Sequence, residues 1–309
     1  MSFSIPQVIH AIASAYPDRE ALIFREKRFT FSQYTERCNR LANFFLQQGI
    51  GMRQEREMLE NWQSGQDHIA IYMQNCNEYL ESMVGAFSAR AVPFNVNFRY
   101  VAEELVYLLN NANTKAIIYQ SKYAPIIKQI LPEVESLKLL VQVADESGNK
   151  LLPSAYDYDK VLAQSSSLEP AVETSPDDLY MLYTGGTTGM PKGVLWRQAD
   201  ILAAALSGDE KDGSPIATLQ RFVSRAQKTA KGRSLATPPF MHGTGQWVAL
   251  GAWHAGNGVV IQDNVERLDP KDLLSVIERE KVTLLSVVGD AFARPLIDEM
   301  HAGDYDLSS

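Results

Sequence analysis

The chain has few of the residues that mark disulfide-rich or metal-binding proteins. Among its 309 residues only Cys38 and Cys76 are cysteines, which excludes a disulfide framework and cysteine-based zinc spacing. A reducing cytoplasm is therefore the simplest compartment. No apolar run approaches the roughly 20 residues that a membrane-spanning helix needs, so we expect no integral membrane segment. Residues 1–16 lack a basic leader followed by an apolar core, and we expect no secretory signal.

Basic residues are also in the minority. The sequence has 29 Lys and Arg against 37 Asp and Glu, and the net charge of −8 argues against a general nucleic-acid surface. His10, His68, His254 and His301 have no partners at metal-ligand spacing, so no metal site is predicted from them. The length and the 45% hydrophobic content suit a globular protein with a large core.

Two common nucleotide-binding signatures are missing. No Gly-x-Gly-x-x-Gly dinucleotide fingerprint occurs. The phosphate loop of nucleotide hydrolases needs Gly, four residues and then Gly-Lys-Ser/Thr, and the sequence does not match that spacing.

A different phosphate loop is nevertheless indicated between residues 184 and 193. The apolar run Leu179–Tyr183 predicts a buried strand, and it ends in Thr-Gly-Gly-Thr-Thr-Gly-Met-Pro-Lys-Gly. Glycines let the backbone turn sharply, and successive N–H groups in such a loop form an anion-binding concavity. Hydroxyls and a lysine add further donors. The composition suits a polyphosphate, and the alternative is an ordinary Gly/Thr-rich surface turn.

This segment resembles the phosphate loop of the AMP-forming, adenylate-forming enzymes, which include acyl-CoA synthetases, luciferases and peptide-synthetase adenylation domains. The match runs position for position, with glycine at 185 where serine is commoner. The resemblance implies that one set of residues binds the ATP phosphates: Thr184, Gly185, Gly186, Thr187, Thr188, Gly189 and Lys192. It also gives Lys192 a catalytic role.

A second segment, Pro238–Trp247, resembles the family motif in which a histidine follows prolines beside the acyl pocket. The resemblance implies that His242 lines the acid site near the reacting carboxylate, as a catalytic and substrate-binding residue. Gly243 and Gly245 would allow the substrate to approach, and Trp247 would wall an apolar tunnel. The alternative is a histidine at a helix start with core aromatics.

Two further segments, Arg90–Tyr100 and Val287–Pro295, look like bacterial synthetases that act on fatty or steroid side-chain acids. The family's Tyr-Gly-x-Thr-Glu and Thr-Gly-Asp segments, its hinge and its late catalytic lysine do not occur. The sequence therefore looks like an N-terminal portion, without the C-terminal catalytic domain.

The order of predicted elements indicates an α/β fold. From His68 onward strands and helices alternate, which favours parallel strands with crossover helices. The resemblance implies stacked, mostly parallel sheets flanked by helices. We expect four regions: residues 1–66, a helix and hairpin region that joins the second sheet; 67–205, a first α/β subdomain with the phosphate loop; 206–233, an excursion; and 234–309, a second α/β subdomain.

Local patterns add detail. Thr30 and Gln33 predict a capping box for a helix that places Cys38 in the core. Pro270–Glu280 predicts another helix. Residues 51–66 predict an insertion, interpreted as a solvated surface helix.

The resemblance implies ATP-dependent activation of a carboxylic acid, fatty or related, to an acyl-adenylate and then to the CoA thioester. ATP, Mg²⁺ and CoA would take part, and a homodimer is implied because family members often self-associate. Two alternatives stay open: a non-catalytic nucleotide- or acyl-binding module of the same fold, and a phosphotransferase that uses Lys192. Neither the acid nor CoA as the acceptor follows from the sequence.

Overall fold

The computed structural model describes residues 2–185, 189–229 and 232–309. The strands in this part of the chain are β1 (Glu20–Phe24), β2 (Lys27–Thr30), β3 (His68–Tyr72), β4 (Val92–Asn95), β5 (Thr114–Gln120), β6 (Leu139–Val143), β7 (Ala155–Asp157), β8 (Leu179–Thr184), β9 (Lys192–Arg197), β10 (Arg233–Ala236), β11 (Gly258–Ile261) and β12 (Leu284–Ser286).

The helices are α1 (Ile5–Ala15), α2 (Phe31–Gln47), α3 (Asn77–Ser88), α4 (Ala102–Asn111), α5 (Ala124–Ile130), α6 (Tyr158–Gln164), α7 (Gln198–Ala205), α8 (Leu219–Thr229), α9 (Gly243–His254), α10 (Pro270–Glu280) and α11 (Asp290–Ala302). None of the helices that the structure describes has the length and apolarity needed to cross a bilayer.

The strands form two five-stranded sheets and one hairpin. The first sheet has the order β4-β3-β5-β6-β7, and all of its strands are parallel. The second has the order β12-β10-β11-β1-β2, and only β2 runs antiparallel, as the partner of β1 in the predicted hairpin. The strands β8 and β9 form a separate antiparallel pair. The predicted α/β fold with mostly parallel sheets is confirmed.

Helices separate and cover the sheets. The buried side chains of α1, α2, α3 and α9 share one core with a face of each five-stranded sheet, so these helices lie between the sheets. On the first sheet, α4 and α5 cover the opposite face, and on the second sheet α10 and α11 do so. In β3, for example, Ile69 and Ile71 enter the central core while Ala70 and Tyr72 enter the outer one. This alternation is what a strand buried on both faces requires.

Several local predictions are confirmed. Thr30 accepts a hydrogen bond from the Gln33 N–H, and the Gln33 side chain accepts one from the Thr30 N–H, which completes the capping box of α2. Cys38 is fully buried in the central core. The helix α10 has the predicted bounds, and the side chain of Asp269 caps it.

Three sequence interpretations were wrong or incomplete. Within residues 51–66 the only helical element is a short 3₁₀ turn, Arg56–Met58, rather than a surface helix. No helix was assigned between residues 206 and 233, yet α8 lies there and buries Phe222 and Ala226, which are one turn apart. The elements β7 and α6 were not predicted. Their short length, of three and seven residues, explains why periodicity did not reveal them.

The parallel arrangement determines where a site can form. The carboxyl ends of all strands in the first sheet lie along one edge, and those of β1, β10, β11 and β12 lie along one edge of the second. These edges meet, because Asn75, after β3, accepts a hydrogen bond from the N–H of Phe240, after β10. Ligands of open α/β sheets bind outside such carboxyl ends.

Candidate active site

The predicted phosphate loop connects the two strands of the β8–β9 hairpin. Thr184 ends β8, Lys192 begins β9, and the two residues face each other across the ladder. Directly opposed residues of an antiparallel pair project from the same face, so a hydroxyl and an ammonium group stand together at the base of the loop. Both residues are exposed. Three predicted phosphate-binding residues, Gly186, Thr187 and Thr188, lie outside the described residues.

The glycines in and beside this loop differ in whether backbone conformation or packing favours the absence of a side chain. Gly189 has φ of +134°, a conformation that residues with a Cβ rarely adopt. At Gly185 and Gly189 an added Cβ would meet no atom within 4 Å, so the space beside this backbone is open. At Gly193 an added Cβ would come within 3.0 Å of the Tyr183 ring, so packing within the hairpin requires this glycine. Open space beside exposed backbone fits a phosphate ligand.

The second predicted segment follows β10 on the neighbouring sheet. His242 is the N-cap residue of α9, with extended backbone angles, and it is exposed. Partial burial and, second, the positive charge of Arg99 lower the pKa of the His242 imidazole. The ring is therefore neutral near pH 7. Arg99 lies in the Arg90–Tyr100 segment, and the sequence analysis gave it no role at the site.

Buried polar side chains hold the backbone just before His242. The Phe240 carbonyl accepts hydrogen bonds from the Tyr79 hydroxyl at 2.9 Å and from the Gln246 amide at 2.7 Å. The Phe240 N–H donates to the Asn75 side chain at 2.7 Å. The Tyr180 hydroxyl of β8 donates to the Gln246 side-chain oxygen, which extends the network to the hairpin. The sequence analysis missed these roles, although Asn75 was visible as a polar residue at a strand end.

Asn95, the last residue of β4, joins the two predicted segments. Its side-chain oxygen accepts from the Tyr183 N–H at 2.8 Å, and its side-chain amide donates to the Tyr183 carbonyl at 2.9 Å. The same amide donates to the Met241 carbonyl at 2.7 Å. Tyr183 precedes Thr184, and Met241 precedes His242. Asn95 thus links the base of the predicted phosphate loop to the histidine segment, and the sequence analysis assigned it no such contact.

The other predicted residues of the segment are packed tightly by their own chain. An added Cβ on Gly243 would lie 2.6 Å from a Leu182 methyl carbon, and one on Gly245 would lie 2.7 Å from the Pro239 carbonyl oxygen. The contact with backbone requires glycine at position 245, whereas the Leu182 methyl beside Gly243 is the end of a flexible side chain that can shift. Trp247 is partly buried, and its indole N–H is buried without a hydrogen-bond partner among the described residues.

The described residues form no preassembled cluster of three metal ligands at the site. Within residues 2–185, 189–229 and 232–309, no three His, Cys, Asp or Glu side chains come together as metal ligands. No ion pair of Lys192 is found in this part of the chain either.

Residues 9–309 match the family model described as AMP-binding enzyme. The chain belongs to this family. It is 47% identical over its whole length to the medium-chain acyl-CoA ligase Mig of Mycobacterium avium and covers 56% of that protein. It is 31% identical over its whole length to the 3-oxocholest-4-en-26-oate–CoA ligase of Rhodococcus rhodochrous and covers 54% of it.

Among solved structures, a long-chain-fatty-acid-CoA ligase from Archaeoglobus fulgidus superimposes with a TM-score of 0.77 at 20% identity, over 100% of this chain and 56% of that one. This likeness supports the fold alone. The chain thus spans about half the length of the curated relatives it matches. The predicted resemblance to AMP-forming acyl-CoA ligases is confirmed.

Proposed function

We propose that this chain forms the phosphate-binding and acid-binding part of an AMP-forming acyl-CoA ligase. The complete enzyme would convert a carboxylic acid and ATP into an acyl-adenylate and pyrophosphate, and would then pass the acyl group to CoA. The observation that supports this best is the shared anchorage of the loop base and the histidine segment on Asn95. An adenylating enzyme must hold a triphosphate and a carboxylate side by side.

In the first step a carboxylate oxygen forms a bond to the α-phosphorus while the bond from that phosphorus to the pyrophosphate oxygen breaks. Negative charge accumulates on the phosphate oxygens and on the leaving pyrophosphate, and preorganised donors stabilise it. The group that we assign to the β- and γ-phosphates is Thr184, Gly185, Gly186, Thr187, Thr188, Gly189 and Lys192. ATP, Mg²⁺ and CoA remain the proposed participants.

His242 would face the carboxylate as a neutral ring, because its pKa is lowered. It would then act as a hydrogen-bonding group rather than as a counter-ion. The nearby guanidinium of Arg99 supplies positive charge that attracts anionic substrates towards this edge. Gly243 and Trp247 are proposed as further walls of the acid site.

The acid is proposed to be a medium-chain fatty acid. The Mycobacterium avium relative is named for that substrate class, and it is 47% identical to this chain. A ring-bearing acid is the second candidate, from the name of the Rhodococcus relative. We further propose a cytoplasmic enzyme that forms a homodimer.

The test is acid-dependent exchange of pyrophosphate into ATP, measured with the full-length polypeptide that carries this sequence. Fatty acids of increasing length and one steroid acid serve as substrates. Combined Thr188→Ala and Lys192→Ala substitutions should lower exchange by about 100-fold or more, since one preorganised donor contributes about 3 kcal/mol. The exposed Lys150 supplies the matched control, Lys150→Ala.

Unchanged exchange in the double variant would contradict the assignment of the loop. ATP binding by the full-length polypeptide without any exchange would favour a non-catalytic binding module. Transfer of the γ-phosphate, instead of pyrophosphate release, would identify a phosphotransferase.

A further inference from the structure

The hairpin that carries the phosphate loop is not hydrogen-bonded into either five-stranded sheet as a strand. The strand β8 lies beside β4, the edge strand of the first sheet, yet it pairs only with β9 among the described residues. Two side-chain carboxamides replace the missing ladder. Gln66 accepts from the Leu179 N–H at 2.7 Å at the start of β8, and Asn95 binds Tyr183 at its end.

The two carboxamides differ in what else they hold. Gln66 also donates to the Arg90 carbonyl at 2.9 Å. Arg90 lies in the connection from α3 to β4, away from the predicted site. Asn95 instead donates to the Met241 carbonyl, which belongs to the chain leaving the second sheet. Asn95 is therefore bonded to three backbone groups on two segments from different parts of the fold, and it is 94% buried.

We propose that Asn95 is a positioning residue that fixes the phosphate loop relative to the acid-facing His242. The inference rests on the proposed function, since positioning is meaningful only if both segments bind reacting groups. Each bonded backbone group belongs to the residue directly before a predicted site residue, because Tyr183 precedes Thr184 and Met241 precedes His242. Neighbouring Cα atoms are about 3.8 Å apart, so a shift at Asn95 reaches both segments almost undiminished.

The chemistry of the side chain explains why a carboxamide is needed. An amide offers two N–H donors and a carbonyl acceptor, and Asn95 uses both kinds at once. A carboxylate at this position would have no donor and would face two carbonyl oxygens. Leucine would fill a similar volume but would leave the Tyr183 N–H, the Tyr183 carbonyl and the Met241 carbonyl without these bonds.

The experiment compares Asn95→Asp and Asn95→Leu with the matched variants Gln66→Glu and Gln66→Met in the full-length polypeptide. We measure kcat for acid-dependent pyrophosphate exchange, the Kd of ATP and the Tm. The Asn95 variants should lose about 100-fold in kcat, since a displacement near 1 Å between reacting groups has an effect of that order. Their Kd for ATP should stay within about threefold, because each substrate can still bind its own segment.

The Gln66 variants should lower the Tm comparably and leave kcat within about threefold. Asn95→Ser, which keeps one hydroxyl donor, gives a milder variant in case the others fail to fold. It should show the same split between kcat and Kd.

Three results would overturn the proposal. A wild-type kcat in folded Asn95 variants would show that Asn95 positions nothing. Equal loss of kcat in the Gln66 variants would show that docking of β8 alone matters. Absence of exchange in the wild-type polypeptide would remove the proposed function as well, which separates that failure from the first two.

Discussion

Arg90 forms ion pairs with two carboxylates, and the burial of each carboxylate indicates how much its ion pair stabilises the fold. Its guanidinium donates to the Asp178 carboxylate at 2.9, 3.1 and 3.2 Å and to the Glu55 carboxylate at 2.8 Å twice. The two acids differ sharply in exposure, at 1% for the Asp178 side chain and 56% for Glu55. Asp178 directly precedes β8, so the contact also anchors the hairpin of the phosphate loop.

Substituting Arg90→Met should destabilise the protein by about 3–5 kcal/mol at pH 8, because it leaves the Asp178 carboxylate buried without its cation. Substituting Glu55→Gln should cost only about 0–1 kcal/mol, since an exposed ion pair is largely screened. Urea denaturation of wild type and both variants in one buffer gives the comparison.

The loss in Arg90→Met should depend on pH. Burial raises the pKa of Asp178 above its ordinary value of 3.8, and the hydrogen bond from Arg90 counteracts that rise. Without Arg90 the pKa of Asp178 in the folded state rises further, so the folded protein binds this proton more readily than the unfolded chain. Stability therefore increases as pH falls towards 4 and decreases as pH rises. The difference between Arg90→Met and wild type should shrink from pH 8 to pH 5.

Either of two results would refute this reasoning. One is a loss of unfolding free energy in Glu55→Gln as large as that in Arg90→Met, which would mean that solvent exposure does not decide how much an ion pair stabilises the protein. The other is an Arg90→Met penalty that stays constant from pH 8 to pH 5, which would mean that the uncompensated Asp178 charge is not its source.

Three further predictions concern stability. Gly245→Ala should lower the urea midpoint by the equivalent of about 1–3 kcal/mol, because the new Cβ would lie 2.7 Å from the Pro239 carbonyl oxygen; an unchanged midpoint would contradict the packing. His254 is fully buried, and burial lowers its pKa to about 4. The free energy of unfolding should therefore fall by up to about 3 kcal/mol as the pH drops from 6.5 to 4. His254→Asn should flatten that pH dependence in thermal scans. Glu81→Gln should cost about 2 kcal/mol, measured in urea, because the Arg37 guanidinium donates to the buried carboxylate at 2.8 Å; a neutral result would mean that the charge contributes nothing.

The sequence predicted those parts of the fold in which local pattern and burial agree. The capping residues of α2 and the proline start of α10 carry their signal within four residues, and both helices formed as expected. The phosphate loop stays a prediction, made because a buried strand that ends abruptly in glycine and threonine is typical of an anion-binding turn. The strand pairing of β8 with β9 was not predicted, because a six-residue strand carries no information about its partner.

The anchoring residues of the site were hidden for a different reason. Asn95 and Asn75 act through hydrogen bonds to backbone groups that lie 88 to 165 positions away. Such contacts depend on the tertiary arrangement and leave no periodicity. The helix α8 was missed although its signal is local: Phe222 and Ala226 are spaced by one turn, and polar residues occupy the opposite face, as in an amphipathic surface helix.

Neutral carboxamides recur where the β8–β9 hairpin and the histidine segment are fastened to the rest of the fold: Gln66, Asn75, Asn95 and Gln246. Each bonds to backbone N–H or carbonyl groups that no strand ladder satisfies, and an unsatisfied buried group of this kind costs about 1–3 kcal/mol. Carboxylates could accept such bonds, but they have no donor for the carbonyl groups. Ammonium groups would donate only, and would compete with Lys192 for the same anion. Carboxamides fasten both segments while leaving the local potential to the loop backbone, Lys192 and Arg99.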